Sequence, residues 1–339
     1  MSGDGSGGGG HQGQVYLRSY LAPLAGVLER PDVTDVYVNR PGELWAETLG
    51  GAIERHEVPG LDAAVLNRLA RQIAAFAHQG INREHPILSA ALPGGERVQI
   101  VIPPATRDHM ALAVRKHVSS NLALSDYAAT GAFDQVLGDA AGPRAALDAR
   151  LRALREAGDI AGLLAEAVRG RLNILISGGT STGKTTFLNA LIREIREEER
   201  LILIEDTPEL LLRHPNAVGL IAARGALGEA AVTAEDLLTA SLRMRPDRVI
   251  LGELRGPEAW TFLRAVNTGH PGSMTTVHAD SPARAVEQIA LLVLQGGARL
   301  SREDVVHYVR STVDVYVQLT RAGGKRGVSE VVLGKPPAP

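Results

Sequence analysis

The chain has 339 residues, a formal net charge of −2 and no cysteine. This length suggests two domains, and the near-neutral charge gives no overall basic field of the kind that favours nucleic-acid binding. The lack of cysteine excludes disulfides, thiol nucleophiles and zinc sites with cysteine ligands. No apolar run approaches the roughly 20 residues of a spanning helix, so we expect a cytoplasmic protein whose membrane contact is peripheral.

The first part of the chain predicts an α+β domain. Residues 1–14 are rich in Gly and Ser and are expected to form a disordered tail. Residues 15–118 form the domain, with apolar residues at helical spacing over 15–28 and 63–76. Its expected strands, bounded by turn residues, are Val36–Val38, Leu44–Ala46, Pro86–Leu92, Arg97–Ile102 and Leu112–Val114.

The second part of the chain predicts an α/β domain. Residues 119–144 have weak periodicity and are expected to be an interdomain linker, and residues 145–339 form the domain. Two helices separated near Gly158 are expected over 145–168. Beyond Arg171, strands alternate with helices, which predicts a doubly wound, mostly parallel sheet with helices on both faces. The expected strands are Leu172–Ser177, Leu201–Ile204, Arg248–Leu251 and Ser273–Val277, and the expected helices are Leu237–Met244 and Pro257–Asn267.

A glycine-rich stretch lies between the strand Leu172–Ser177 and an apolar helix, and it matches the phosphate-binding pattern of two glycines followed by Lys and Thr. Glycines let backbone N–H groups point at phosphate oxygens, and the helix start adds its positive dipole end. Lys184 can reach the β- and γ-phosphates, and the Thr185 hydroxyl can bind Mg²⁺. The expected nucleotide contacts are Gly178, Gly179, Thr180, Ser181, Thr182, Gly183, Lys184, Thr185 and Thr186.

Acidic and imidazole side chains follow three further predicted strands. Glu205, Glu253 and His278 come at strand ends, and because ligands of such sheets bind at the carboxyl ends of the strands, we expect these groups beside the loop. Glu253 is the preferred base for the attacking water and a possible metal ligand, and Glu205 is expected to bind the metal or position water. His278 is expected to sense the γ-phosphate. Residues 206–209 have a structural alternative, a helix cap with Pro in its first turn.

Four segments, taken in order, resemble the secretion ATPase superfamily. They are the loop 178–185, the acidic stretch 203–210, the strand and acid at 242–256, and the histidine stretch 267–279. Two N-terminal segments, Val33–Trp45 and Ile102–Pro104, resemble the VirB11 class of type IV secretion in particular. The resemblance implies a RecA-like ATPase domain that uses ATP and Mg²⁺, in a ring hexamer at the cytoplasmic face of the inner membrane.

The same resemblance implies partners and further site residues. ATP is expected between the two domains and between subunits, which makes Arg97 and Arg115 candidate nucleotide contacts from the N-terminal domain. The implied activity drives export of protein or DNA and assembly of a conjugative pilus, together with inner-membrane components of the secretion machine. No direct binding of nucleic acid is expected. Which acid activates water stays open, and so does the choice of a charge-stabilising arginine among Arg243, Arg245 and Arg255.

The sequence leaves three other functions open. The first is the motor of a type IV pilus or a related filament, which uses the same chemistry. The second is a nucleic-acid translocase or recombinase of the same core fold, against which the near-neutral charge counts. The third is a scaffold that does not hydrolyse nucleotide, although all the expected catalytic positions are filled. Motors of type II secretion usually carry a tetracysteine zinc module, which this chain lacks.

Overall fold

The computed structural model describes residues 8–116, 123–129, 131, 133, 142–223 and 229–334. Its N-terminal part contains two helices and a six-stranded sheet. The helices are α1 (Gly8–Leu28) and α2 (Ala63–Phe76), and the strands are β1 (Val33–Val38), β2 (Glu43–Thr48), β3 (Ile53–Glu57), β4 (Ile87–Ala91), β5 (Arg97–Val101) and β6 (Ala111–Arg115). The strand order is β3-β2-β1-β6-β5-β4, with antiparallel pairs throughout.

Both faces of this antiparallel sheet are covered. Side chains alternate between the faces of a strand, so Val36 and Val38 of β1 enter the core beneath α1 and α2, and Tyr37 faces the other way. Tyr37 and Trp45 join a core cluster that also contains residues of the second domain. The N-terminal domain is therefore packed on the second domain through an apolar contact as well as through polar ones.

The N-terminal domain differs from prediction at two places. Helix α1 begins at Gly8, so a disordered tail extending to Gln14 is wrong for residues 8–14, and residues 1–7 lie outside the described ranges. Leu17 and Leu24 are fully buried in the domain core, and once packing holds a helix, each added residue gains one hydrogen bond. Strand β3 was not predicted because its polar residues lack apolar alternation, which is typical of an exposed edge strand.

The second domain contains a seven-stranded sheet. Its helices are α4 (Pro143–Glu156), α5 (Ile160–Arg169), α6 (Lys184–Ile192), α7 (Ala234–Ser241), α8 (Glu258–Asn267), α9 (Pro282–Gln295) and α10 (Arg302–Thr312), and α3 (Leu124–Ala129) lies in the predicted linker. Its strands are β7 (Ile174–Gly178), β8 (Leu201–Glu205), β9 (Ala217–Ile221), β10 (Arg248–Leu251), β11 (Met274–Val277), β12 (Val315–Ala322) and β13 (Lys325–Leu333). The order is β13-β12-β7-β11-β10-β8-β9, and the strands are parallel except for β13.

Helices cover both faces of this parallel sheet, as the alternating pattern predicts. Helices α4, α5 and α6 contribute Leu151, Leu163 and Leu188 to the core on one face. Helices α7 to α10 enclose the other face, where Leu238 and Phe262 are buried. The predicted break between α4 and α5 is confirmed, since Gly158 lies between them. Across the described ranges, every helix is too short or not apolar enough to cross a membrane.

Candidate nucleotide-binding site

A cavity of about 730 Å³ lies at the carboxyl edge of the parallel sheet. The predicted strand-end groups Glu205, Glu253 and His278 all line it, together with the loop residues 179–186. Strands β7, β11, β10 and β8 are consecutive neighbours in the sheet, which explains why groups far apart in sequence meet here. The structure therefore brings these groups to the loop as expected, and their chemical roles stay predictions.

The glycine-rich loop is tightly packed and sharply turned, and Gly179 to Thr186 line the cavity while Gly178 packs against β12. A Cβ at Gly178 would lie 2.5 Å from Oγ1 of Thr182 and 3.1 Å from the carbonyl oxygen of Leu319, so no larger residue fits there. Ser181 and Gly183 have φ of 61° and 93°, the left-handed backbone that is found in anion-binding loops. Helix α6 begins at Lys184 directly after this turn, and its first three residues line the cavity. The end of a helix at which N–H groups lack intrahelical partners therefore adjoins the cavity.

Lys184 lines the cavity and lies at the centre of a polar cluster that it forms with His278 and Glu253. Its Nζ donates to the carbonyl oxygen of Gly178 at 3.1 Å and lies 3.1 Å from Nδ1 of His278. Oε1 of Glu253 is 3.5 Å from the same nitrogen and 3.0 Å from Nε2 of His278. Burial lowers the pKa of Lys184, and the charge of Glu253 partly opposes that shift. The ammonium group is thus partly desolvated at the place where phosphate oxygens are expected.

Of the three arginines considered around the β10 strand, Arg255 lines the cavity. Its Nε donates to Oε2 of Glu253, and its Nη1 lies 2.9 Å from Oδ2 of Asp206. Arg243 and Arg245 instead contact the N-terminal domain, where they donate to Ser89 at 3.4 Å and to Glu47 at 2.9 Å. Of these three arginines, the geometry therefore favours Arg255 as the one that can stabilise phosphate charge within its own chain.

Glu205 is buried and fully engaged by protein groups. Its Oε2 accepts backbone N–H groups of Glu209 and Leu210, both at 2.9 Å, and its Oε1 forms an ion pair with Arg107 of the N-terminal domain. The predicted helix cap at residues 206–209 is wrong, because no helix occurs between β8 and β9. The loop after β8 is held by hydrogen bonds to the carboxylate of Glu205, and no helix follows it before β9.

Sequence reasoning missed Arg326, which lines the cavity from the opposite side. It lies on β13, and its Cδ would be 3.4 Å from a Cβ at Gly183. Across the hairpin its register partner is Arg321, so two cations share one face near the start of helix α6. The only sequence signal for this group is a basic hairpin, which by itself is typical of any exposed turn.

Arg97 and Arg115 lie outside the cavity of their own chain. They are direct register partners on β5 and β6, and both side chains are exposed. Like charges placed opposite each other in a sheet are unfavourable, and Asp35, the register partner of Arg115 on β1, offsets this repulsion in part. Their assignment as nucleotide contacts stays a prediction.

The doubly wound sheet and the cavity at its carboxyl edge define a RecA-like nucleotide-binding protein. A family model described as Type II/IV secretion system protein matches residues 150–325. The Type IV secretion system protein VirB11 of Bartonella quintana (strain Toulouse) is 39% identical over 324 residues, which cover 92% of this chain and 91% of that protein. Its counterpart in Brucella suis biovar 1 (strain 1330) is 42% identical over 323 residues, covering 92% of this chain and 88% of the relative.

A solved structure supports the same assignment. The crystal structure of the VirB11 ATPase from the Brucella suis type IV secretion system in complex with sulphate matches with a TM-score of 0.88 and 39% identity, and it covers 96% of both chains. The chain belongs to the Type II/IV secretion system family and, within it, to the VirB11 ATPases of type IV secretion.

Proposed function

We propose that this protein hydrolyses ATP with the help of Mg²⁺ at the cavity built by residues 179–186, Glu205, Glu253 and His278. The observation that carries the proposal is the convergence of Lys184, Glu253 and His278 within 3.5 Å of one another beside a phosphate-binding loop. The ammonium group of Lys184 can neutralise phosphate charge, and the carboxylate of Glu253 can accept a proton. The imidazole of His278 contacts both of these groups.

Each residue of the site has a defined role in this proposal. Lys184 and the loop N–H groups neutralise the phosphate oxygens. Glu253 accepts a proton from the attacking water, and His278 holds the Glu253 carboxylate in place. Thr185 is half-buried on the cavity wall, so its hydroxyl and the nearby carboxylates offer oxygen ligands of the kind that Mg²⁺ prefers. A bound Mg²⁺ would supply further neutralisation of the phosphate charge.

The role first expected for Glu205 is modified in this proposal. Its two oxygens already accept two N–H groups and pair with Arg107, so in this arrangement it positions the loop 206–210. Direct ligation of Mg²⁺ by Glu205 would require the Arg107 pair to open. Glu253 is the better placed of the two acids for both metal and water.

We further propose a ring hexamer in which the N-terminal domain of one subunit reaches the nucleotide of its neighbour. This is supported by Arg97 and Arg115, whose exposed side chains face each other on the sheet but do not line the cavity of their own chain. Asp35, the register partner of Arg115 on β1, supplies one carboxylate on that face, and an anion bound by both arginines would add to this neutralisation. The ring is placed at the cytoplasmic face of the inner membrane, where it drives substrate export and pilus assembly with inner-membrane components of the machine.

The test of ATP hydrolysis is the Lys184→Ala variant. Phosphate release with ATP and Mg²⁺ should fall to background, because the loop loses its positive charge, whereas Lys325→Ala on the exposed hairpin should hydrolyse ATP like the wild type. Undiminished phosphate release by Lys184→Ala would overturn the assignment. Light scattering with ATP present tests the ring, and a strictly monomeric, fully active species would contradict it.

A further inference from the structure

A loop of the N-terminal domain continues the parallel sheet of the ATPase domain. The N–H of Ile221 on β9 donates to the carbonyl oxygen of Ala105 at 2.9 Å, and the N–H of Arg107 donates to the carbonyl oxygen of Gly219 at 3.1 Å. Thr106 forms a β-bridge with Leu220 between these bonds. Because β9 is the outermost strand of the sheet, this loop covers an edge that would otherwise expose unpaired N–H and C=O groups.

The side chain of Arg107 passes across β9 and reaches the nucleotide site. A Cβ at Gly219 would lie 2.7 Å from both Cδ and Nε of Arg107. The side chain of Arg107 therefore occupies space that is free only because residue 219 is glycine. Beyond it, Nη1 donates to the carbonyl oxygen of Leu210 at 2.7 Å, and Nη2 pairs with Glu205. The two side chains are only 13% and 5% exposed, so solvent screens their charges little.

The charge of Glu205 matters because its carboxylate lines the same cavity as the phosphate-binding loop. A carboxylate repels phosphate, and the repulsion is strong where little water separates the groups. Arg107 places a compensating positive charge directly on this carboxylate. Since Arg107 belongs to the N-terminal domain, the charge balance of the nucleotide site depends on how that domain sits on the ATPase domain.

We propose that Arg107 is a positioning residue by which the N-terminal domain neutralises Glu205 and thereby sets the affinity of the site for nucleotide phosphates. This inference rests on the proposed ATP-binding function. When the N-terminal domain is packed on the ATPase domain, Glu205 is paired with Arg107 and the site binds phosphate. When the domain moves away, Glu205 becomes a bare carboxylate, and nucleotide binding weakens or requires Mg²⁺ to screen the charge.

The experiment measures binding of ADP to the full-length chain by calorimetry, without and with Mg²⁺. Arg107→Ala should bind ADP about tenfold more weakly without Mg²⁺, the order expected for loss of a charge-assisted interaction, and the deficit should shrink when Mg²⁺ is added. Arg107→Lys keeps the positive charge and should recover part of the affinity. In Arg107→Ala/Glu205→Gln the affinity should return to that of Glu205→Gln alone, because the uncompensated charge is gone.

The matched control is Arg83→Ala, which removes another ion pair between the two domains. Nη2 of Arg83 lies 2.6 Å from Oε2 of Glu229, but both side chains are well exposed and neither lines the cavity. This variant should bind ADP like the wild type. A second readout is hydrogen exchange at the amides of Glu209 and Leu210 in the nucleotide-free protein, which should accelerate in Arg107→Ala and not in Arg83→Ala.

The outcomes separate this inference from the proposed function. If the wild type does not bind ADP at all, the proposed function fails. If the wild type binds ADP and Arg107→Ala binds it equally well, the inference alone is overturned. It is also overturned if the loss caused by Arg107→Ala is as large in the Glu205→Gln background as in the wild type, because Arg107 would then not act through Glu205.

Discussion

Nε2 of His278 lies 3.0 Å from Oε1 of Glu253, while Nδ1 of the same ring lies 3.1 Å from Nζ of Lys184. An ammonium group can only donate, and Nζ of Lys184 lies close to both ring nitrogens, since Nε2 is 3.4 Å away as well. The imidazole therefore links the lysine of the glycine-rich loop to the acid. A phosphate that draws Lys184 away from the ring would also change the contact between His278 and Glu253.

The two candidate acids are separated by comparing Glu253→Gln with Glu205→Gln. Glu253→Gln should lower kcat by about 10²-fold or more, because it removes the proton acceptor, while ADP binding persists. Glu205→Gln should lower kcat much less, since Arg107 already neutralises Glu205 and an amide oxygen can still accept the N–H groups of Glu209 and Leu210. Steady-state phosphate release measures both. A larger loss in Glu205→Gln would exchange the roles of the two acids.

Arg326 should contribute to nucleotide binding from the hairpin β12–β13. It adjoins Gly183 at the start of helix α6 and lies opposite Arg321, so a phosphate group bound there would relieve repulsion between several positive charges. Arg326→Ala should raise KM for ATP about tenfold, as expected for loss of a charge-assisted hydrogen bond, with a smaller change in kcat. Lys325→Ala removes an adjacent cation that does not line the cavity and should leave KM unchanged. An equal rise in both variants would mean that the hairpin acts only through its total charge.

Local sequence patterns predicted much of the fold and the centre of the site. The loop 178–185 joins a strand to a helix within one short segment. Glu205 and Glu253 each follow a short aliphatic run, and His278 follows the strand expected at Ser273–Val277. Topology alone then brings strand ends to one edge of the sheet. Prediction succeeded here because the chemistry and the local structure are encoded by the same neighbouring residues.

The missed features depend on contacts between distant segments. Arg107 and Arg326 reach the site from another domain and from a hairpin, and neither carries a local motif. Glu205 illustrates the same limit: its position at a strand end was predicted, but its pairing with Arg107 depends on the packing of two domains. The first turns of α1 were missed because glycine disfavours helix, and only the packed core shows what holds the helix in place.

Nucleotide binding should be coupled to protonation of Lys184 at alkaline pH. Burial lowers the pKa of Lys184 below its ordinary value of 10.5, and a bound phosphate raises it again because the charged form is favoured beside an anion. Between these two pKa values the site takes up a proton on binding, so affinity for ADP should fall as pH rises through the pKa of the free protein.

Calorimetry of ADP binding in buffers of different ionisation enthalpy measures this proton uptake. Uptake should be small near neutral pH and grow toward alkaline pH. Lys184→Arg retains a cation that does not titrate in this range and should abolish the alkaline uptake. If wild type and Lys184→Arg take up the same number of protons, the titrating group lies elsewhere.

Arg200 should be a principal contributor to the stability of the contact between the two domains. It is 2% exposed, and its guanidinium carbon lies 4.0 Å from the ring centroid of Tyr37. Burial lowers its pKa to about 10, a cost of desolvation that its contacts have to offset. Its Nη1 donates to Oδ1 of Asn39 at 2.9 Å, and its Nε donates to the carbonyl oxygen of Met244 at 3.0 Å. The side chain therefore bonds to a half-buried acceptor of the N-terminal domain and to a buried acceptor of the second domain, while its cation stacks on an aromatic ring.

Removing Arg200 leaves these acceptors unpaired and opens a space beside Tyr37. Arg200→Ala should lower the free energy of unfolding by about 3 kcal/mol, as is typical when a buried polar network is broken. Arg193→Ala removes an exposed arginine and should change the free energy of unfolding by no more than about 0.5 kcal/mol. Urea denaturation followed by circular dichroism measures both variants. If Arg200→Ala unfolds at the same urea concentration as the wild type, the polar part of the contact adds nothing to stability, and the apolar cluster around Tyr37 and Trp45 holds the domains together by itself.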